Sequence, residues 1–275
     1  MKLQAKLYRA AVYAGAAISV SVLVLIVGYI LIKGIPHLSR ELFAWEYNST
    51  NVSMTPAIIN TLLMTLLSLL VCVPLGIGAA IWLTEYAPRG SRLVKLVRMT
   101  AETLSGIPSI IYGLFGALFF VVALGMGLSL LSGALTLSIM VLPTIMCTTE
   151  EALLAVPDSY REGSFGLGAG RLRTTFKVVL PSAIPGILSG VILAIGRIVG
   201  ETAALIYTAG TVAEVPESLL DSTRTLAVHM YTISTEGLYL GQSYATAVVL
   251  LVMVLLINGL SALIARKVGR SPAGR

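Results

Sequence analysis

Glu162-Gly-Ser-Phe-Gly-Leu-Gly168, followed after nine residues by Val178-Val-Leu180-Pro181, is a polar stretch set between two apolar runs. Ser159 and Glu162 stand at capping-box spacing, in which each side chain satisfies a backbone N–H of the other residue's turn, so a helix is expected to start here. Gly168 supplies a residue that can end that helix in the left-handed conformation. A loop between membrane spans needs no helix of its own. One built into it is expected to face a partner, and the flanking apolar runs decide the fold class.

Hydrophobic residues make up 56% of the chain and charged ones 12%, so the charges mark which windows can cross a bilayer. A span needs roughly 20 mostly apolar residues. Between Arg9 and Lys33 the apolar core is about Ala11 to Ile32, and a second run covers about Ile58 to Leu83. The window from Thr103 to Thr149 is wide enough for two spans joined at Gly125-Met-Gly127. A fifth runs from about Ile184 to Tyr207, interrupted by Arg197 and Glu201, and a sixth from about Thr246 to Ala265. The expected fold is all-α, a polytopic membrane bundle of about six transmembrane helices.

Orientation follows from the basic residues, because Lys and Arg in short loops stay cytoplasmic. Lys2, Lys6, Arg9, Arg89, Arg92, Lys95, Arg98, Arg161, Arg171, Arg173, Lys177, Arg266, Lys267, Arg270 and Arg275 fall on one side of this map, against Lys33, Arg40 and Arg224 on the other. Both termini are therefore expected in the cytoplasm of a prokaryotic plasma (inner) membrane. The net charge of +6 then reflects topology and calls for no nucleic-acid partner. The first apolar run exceeds the h-region of about 7 to 15 residues typical of a cleaved signal and lacks a small-x-small site, so it reads as an uncleaved helix.

Three regions follow: residues 1–55 as a first helix and outward loop, 56–266 as the core with a cytoplasmic loop at 149–181, and 267–275 as a cytoplasmic tail. Pro74 and Pro143 inside spans predict bent, closely packed helices. Gly186-x-x-x-Gly190 and Gly196-x-x-x-Gly200 would let neighbours approach the fifth span on two sides. The acidic stretch Pro216-Glu-Ser-Leu-Leu-Asp221 resembles a helix start within the outward loop, which is either a solvated connector or a docking surface for a soluble extracytoplasmic protein.

Enzymatic chemistry finds little foothold. His37 and His229 lie far apart in outward loops, and no zinc-protease, nucleophile-elbow or phosphate-loop pattern occurs. Cys72 and Cys147 lie in spans without metal or disulfide spacing and read as packing residues. Gly166-x-Gly168-x-Gly170 follows a helix rather than a strand and reads as helix punctuation. Arg197 and Glu201 are the exception, since a charge at mid-membrane costs at least about 2.5–3.5 kcal/mol on insertion scales and such groups face a cavity or each other. Their i, i+4 spacing puts them on one helix face about 6 Å apart along the axis, able to pair. That pair either fixes helix packing or forms an anion path, with Arg197 offering a fork of donors to an oxyanion and Glu201 holding it.

Glu162-Gly-Ser-x3-Gly168-x9-Val178-x-Leu180-Pro181 resembles the EAA loop of prokaryotic ABC-importer permeases, Glu-Ala-Ala-x3-Gly-x9-Ile-x-Leu-Pro. Gly163 and Ser164 stand for the alanines and Val178 for isoleucine, with the spacing intact. Gly196-Arg197-Ile-Val-Gly200-Glu201-Thr202-Ala203-Ala204 resembles the Gly-Arg-x-x-Gly-Glu-Thr segment of phosphate-specific permeases, and Thr144-x5-Glu150-Glu-Ala-Leu-x-Ala-Val-Pro157 extends the likeness, which covers about Ile58 to Lys267. Glu201-Thr-Ala-Ala204 and the Val228-His-Met-Tyr231 region align it with the A-type rather than the C-type subunit of phosphate importers.

The resemblance implies a MetI-like permease that binds no cofactor itself. By that likeness it would pair with a C-type permease in a heterodimer, sit on two ATPase subunits that hold ATP and magnesium, and receive phosphate from an extracytoplasmic binding protein. Ser159, Glu162, Gly163, Ser164, Gly168, Leu180 and Pro181 would form the ATPase coupling segment, and Arg197 and Glu201 the substrate path. A permease for sulfate, molybdate or phosphonate is the alternative, since the coupling loop is common to many importers. A passive channel or membrane-embedded enzyme is the third.

Overall fold

The computed structural model describes the backbone of residues 2–88 and 90–269 and the side chains of residues 8–88, 90–263 and 265. Arg89, Arg270 and Arg275 of the charge map lie outside the described residues, as do the side chains of Lys2, Lys6, Arg266 and Lys267 and most of the expected tail at 267–275. Every regular element described is helical: α1 (Lys2–Gly34), α2 (Thr55–Ile81), α3 (Arg92–Ser105), α4 (Ser109–Gly116), α5 (Leu130–Leu154), α6 (Asp158–Gly166), α7 (Arg171–Thr174), α8 (Leu180–Val199), α9 (Ala203–Thr208), α10 (Leu226–Thr235) and α11 (Leu240–Gly269). Wider π turns at Trp82–Tyr86 and Ala117–Ala123 extend α2 and α4, and one at Thr175–Val179 joins α7 to α8.

Five described runs are long and apolar enough to cross a bilayer: Tyr8–His37, Thr55–Tyr86, Leu130–Leu154, Arg171–Val199 and Leu240–Leu263. A sixth is reached by counting the pair Arg92–Ser105 and Ser109–Ala123, bent by 102°. The expected third span thus needs correction. Pro108 pushes Ile107 out of the helical region, and Gly106 ends α3 before it, so the chain turns sharply into α4. The return at Gly125-Met-Gly127 forms as expected, with both glycines at positive φ, +63° and +66°.

The fifth span is also displaced. It starts at Arg171, well before Ile184, and stops at Val199 rather than Tyr207. Pro181 has no N–H to give its preceding turn, and the π turn at Thr175–Val179 absorbs that defect, so the helix runs unbroken from Arg171 to Val199. In the outward loop Pro216 starts no helix. Asp221 Oδ2 instead accepts from the backbone N–H of Glu217 (3.0 Å) and Ser218 (2.7 Å), closing a turn. The loop's helix is α10, where Leu226, Ala227, Val228, His229 and Ile233 are buried. A buried apolar face is what Pro216–Asp221 lacks, Leu219 and Leu220 being exposed.

Helices α2 and α5 form the centre of the molecule, joined by hydrogen bonds as well as packing. Ser68 Oγ donates to Ala134 O (3.2 Å) and Ser138 Oγ to Ser68 O (3.1 Å). Met64, Cys72, Leu137, Met140 and Ile145 fill the space between them, with Ile198 of α8 and Leu205 of α9 closing it. Helix α8 lies against α5 through Gly186 and Gly190, where an added Cβ would overlap Ala152 and Thr148. Small residues four apart on both helices let the backbones approach. On another face of α8, Gly196 looks toward Asn258 of α11, 3.9 Å from where its Cβ would sit, while Gly200 caps the helix end. Helix α1 packs on α11, with Tyr29 edge-on to Tyr244 at 5.8 Å between ring centroids.

Candidate functional site

The membrane-embedded charges do not sit on one helix face. Arg197 occupies the last turn of α8, which ends at Val199 with Gly200 as its cap, and Glu201 lies past the break. Gly200 is a weak helix former, and the Glu201 Oε1 accepts from the Ala204 N–H (3.0 Å), so the carboxylate stabilises the start of α9 instead of prolonging α8. The expected Arg197–Glu201 ion pair is absent among the described residues. Glu201 is 8% exposed and committed to backbone, whereas the half-buried Arg197 side chain makes no hydrogen bond or ion pair among the described residues. The arrangement leaves Arg197 at the end of the span, beside the break between α8 and α9.

The loop at 149–181 holds the expected short helix with a different start. Helix α6 begins at Asp158 behind Pro157, which presets the entry, so Ser159 lies one residue inside the helix and the Ser159–Glu162 capping box does not form. An acidic residue in the first turn, Asp158, meets the positive end of the helix instead. The far end is as expected. Gly168 adopts φ +82°, its N–H donates to Phe165 O (2.9 Å), and the Ala169 N–H donates to Ser164 O (3.1 Å). That pair of bonds is a complete Schellman motif. Ser164 Oγ also meets Thr174 Oγ1 at 2.8 Å, tying α6 to α7.

Glu162, Gly163, Gly168 and Pro181 are exposed, and Ser164 and Leu180 partly so. Leu180 and Pro181 open α8 just beyond the π turn. Sequence reasoning missed the apolar residues the loop displays: Tyr160, Phe165 and Leu167 are all exposed, Leu167 to 90%. An apolar side chain in an otherwise polar, basic loop was the available signal, since such residues in contiguous display mark an interaction surface. It also missed Arg161, which lines a cavity of about 530 Å³ with Glu85, Arg98, Asp158 and Arg171.

Two more polar groups are buried far from this loop. Arg224, 4% exposed, lies over the Tyr47 ring at 4.5 Å, and the same ring meets His229 edge-on at 6.0 Å. Burial, and then the Arg224 charge, push the His229 imidazole down to about 3, so it is neutral. Asn60 Nδ2 fastens this region by donating to Glu214 O (2.9 Å) and Arg224 O (3.2 Å).

Residues 72–270 match the family model described as the inner membrane component of binding-protein-dependent transport systems. The chain is 34% identical over 238 residues, 81% of each chain, to the probable ABC transporter permease protein YqgI of Bacillus subtilis (strain 168). It is 32% identical over 241 residues to the phosphate transport system permease protein PstC of Mesorhizobium japonicum (78% of this chain, 72% of that one). It is 33% identical over 211 residues to the phosphate transport system permease protein PstA 1 of Mycobacterium tuberculosis (76% and 69%). Among solved structures, an inward-facing form of the MetNI methionine ABC transporter superposes with a TM-score of 0.60 at 22% identity, covering 78% of this chain and 94% of that one, and shares the fold.

Proposed function

The chain belongs to the family of inner membrane components of binding-protein-dependent transport systems, and from that premise we propose that it is a permease subunit importing inorganic phosphate by alternating access. The observation that carries the reading is Arg197, a half-buried guanidinium in the last turn of α8, beside the break before α9, with no hydrogen-bond or ion-pair partner among the described residues. Phosphate must shed water to cross, and a planar fork of N–H donors replaces that water on two oxygens at once. Glu201 acts on the path through backbone, holding the start of α9 and with it the break.

ATP and magnesium belong in this reading to two partner ATPases, which dock on α6 and its exposed Tyr160, Phe165 and Leu167. A second permease of the C type completes the path, and an extracytoplasmic binding protein delivers the anion. The relatives named for phosphate transport include both an A-type and a C-type subunit, and the A-type assignment rests on the Glu201-Thr-Ala-Ala204 and Val228–Tyr231 segments. The distribution of basic residues supports a topology with both termini in the cytoplasm.

The test is phosphate uptake by the assembled transporter carrying Arg197→Gln or Arg197→Lys, at matched membrane abundance and ATPase association. Arg197→Gln is expected to abolish uptake. Arg197→Lys separates charge from fork, and near-loss there supports bidentate contact. Normal uptake by Arg197→Gln would remove Arg197 from the path. Sulfate uptake by the wild type, unaffected by excess phosphate, would move the substrate assignment to another oxyanion.

A further inference from the structure

Arg161 projects from α6 and uses its whole donor set. A guanidinium carries five N–H bonds in a fixed fork and accepts nothing. The Nε donates to Glu85 Oε1 (3.2 Å), Nη2 to Glu85 Oε1 (2.8 Å) and to Leu153 O (2.9 Å), and Nη1 to Val156 O (2.8 Å) and to Asp158 Oδ1 (3.2 Å). Five donors thus meet four acceptor groups, with no N–H left over. Arg161 and Glu85 lie mostly out of solvent, their side chains 16% and 8% exposed, whereas that of Asp158 is 72% exposed.

The acceptors come from three places. Glu85 sits in the π turn that extends α2, the carbonyls of Leu153 and Val156 lie at and just past the C-terminal end of α5, and Asp158 opens α6. The two helices so gripped, α2 and α5, are also the pair joined through the centre of the molecule by Ser68 and Ser138. Beside the grip, the buried Leu83 and Val156 form part of the wall of the cavity of about 530 Å³ that Arg161 and Glu85 also line. Next to it Arg98 pairs with Glu150, tying α3 to α5. The Trp82–Tyr86 turn is wider than an α-turn, the Ala87 N–H reaching back to Trp82 O (2.8 Å), and Glu85 of that turn meets Arg161.

We propose that Arg161 is the residue that transmits movement of α6 to the membrane helices, by holding Glu85 of α2 and the C-terminal carbonyls of α5 in a single guanidinium. It is a positioning residue, outside the anion path and away from the ATPase-facing side of α6. The proposal rests on the reading of α6 as the ATPase contact, and it is independent of which anion is carried. A lysine cannot substitute, since three donors at one point cannot reach Glu85 and two carbonyls on different sides.

The experiment uses the complete transporter, with its partner permease, ATPases and binding protein, in proteoliposomes. Arg161→Lys and Glu85→Gln are compared with wild type for ATPase association, for ATP hydrolysis and for nucleotide-dependent labelling of a cysteine placed at Thr55, the far end of α2. In wild type, trapping the ATPases in their closed, nucleotide-bound state is expected to change labelling at Thr55. Arg161→Lys is expected to retain association and hydrolysis while the labelling response and the cargo moved per ATP fall about tenfold, inside the range of measured coupling energies. Glu85→Gln, which keeps the side-chain shape, is expected to do the same to a lesser degree. An unchanged labelling response and unchanged cargo per ATP in both variants would overturn the proposal, as would a loss wholly accounted for by detached ATPases. Absence of any labelling response in wild type would instead sink the reading of α6 as the ATPase contact.

Discussion

Gly163 and Gly168 lie five residues apart in the coupling loop, and the same substitution at each is predicted to have opposite sign. An added Cβ meets no atom within 4 Å at either position, so packing contributes nothing and the backbone decides. Gly163 is inside α6, where alanine is the better helix former and Gly163→Ala should stabilise the helix by about 0.5–1 kcal/mol. Gly168 holds φ +82°, where a Cβ crowds the carbonyl oxygen, and Gly168→Ala should cost about 1–2 kcal/mol. That cost shifts the local opening equilibrium of α6 roughly 5–30-fold. Amide hydrogen exchange across Ser159–Leu167 in the purified protein reads the shift directly, with protection rising in Gly163→Ala and falling in Gly168→Ala. Gly168→Asn should fall between, because asparagine tolerates the left-handed region. Gly168→Val should be worse than alanine and lower uptake while membrane insertion survives. Equal protection in the two alanine variants, or loss in Gly163→Ala, would refute the reasoning from backbone conformation.

Gly190→Ala should destabilise the α5–α8 contact by about 1–3 kcal/mol, since its Cβ overlaps Thr148, and Thr148→Gly should restore the thermal midpoint in detergent; an unaltered midpoint in the single variant would contradict the close approach. His229, held near 3 in the folded chain against an ordinary 6.5, takes up a proton only on unfolding as pH falls below 6.5, so its contribution to stability drops by about 2 kcal/mol between pH 6.5 and 5. Thermal melts at the two pH values should show that loss reduced in His229→Leu, and an equal loss in both proteins would count against a buried neutral imidazole. A cysteine at Glu217 should label from outside intact cells and one at Leu167 only after permeabilisation. The reverse pattern would invert the topology.

Charge spacing alone located the apolar windows, because a bilayer tolerates few ionised groups and the cost of each is paid locally along the chain. For the same reason the turn at Gly125–Gly127 and the left-handed end of α6 at Gly168 could be read directly: positive φ excludes most other residues. The coupling loop's family spacing was equally visible, residue by residue. What the linear order could not supply was where helices stop when two local preferences compete. Arg197 and Glu201 have helical spacing, yet Glu201 binds the Ala204 N–H and the helix ends between them. Ser159 and Glu162 have capping-box spacing, yet Pro157 takes the cap position and α6 starts two residues earlier than that box would set. The pairing of Arg161 with Glu85 was the least legible, since 76 residues separate them and only the packing of α2 against α5 brings their charges within 2.8 Å. Contacts of that kind depend on the sum of buried surfaces across the bundle, a quantity no short segment contains.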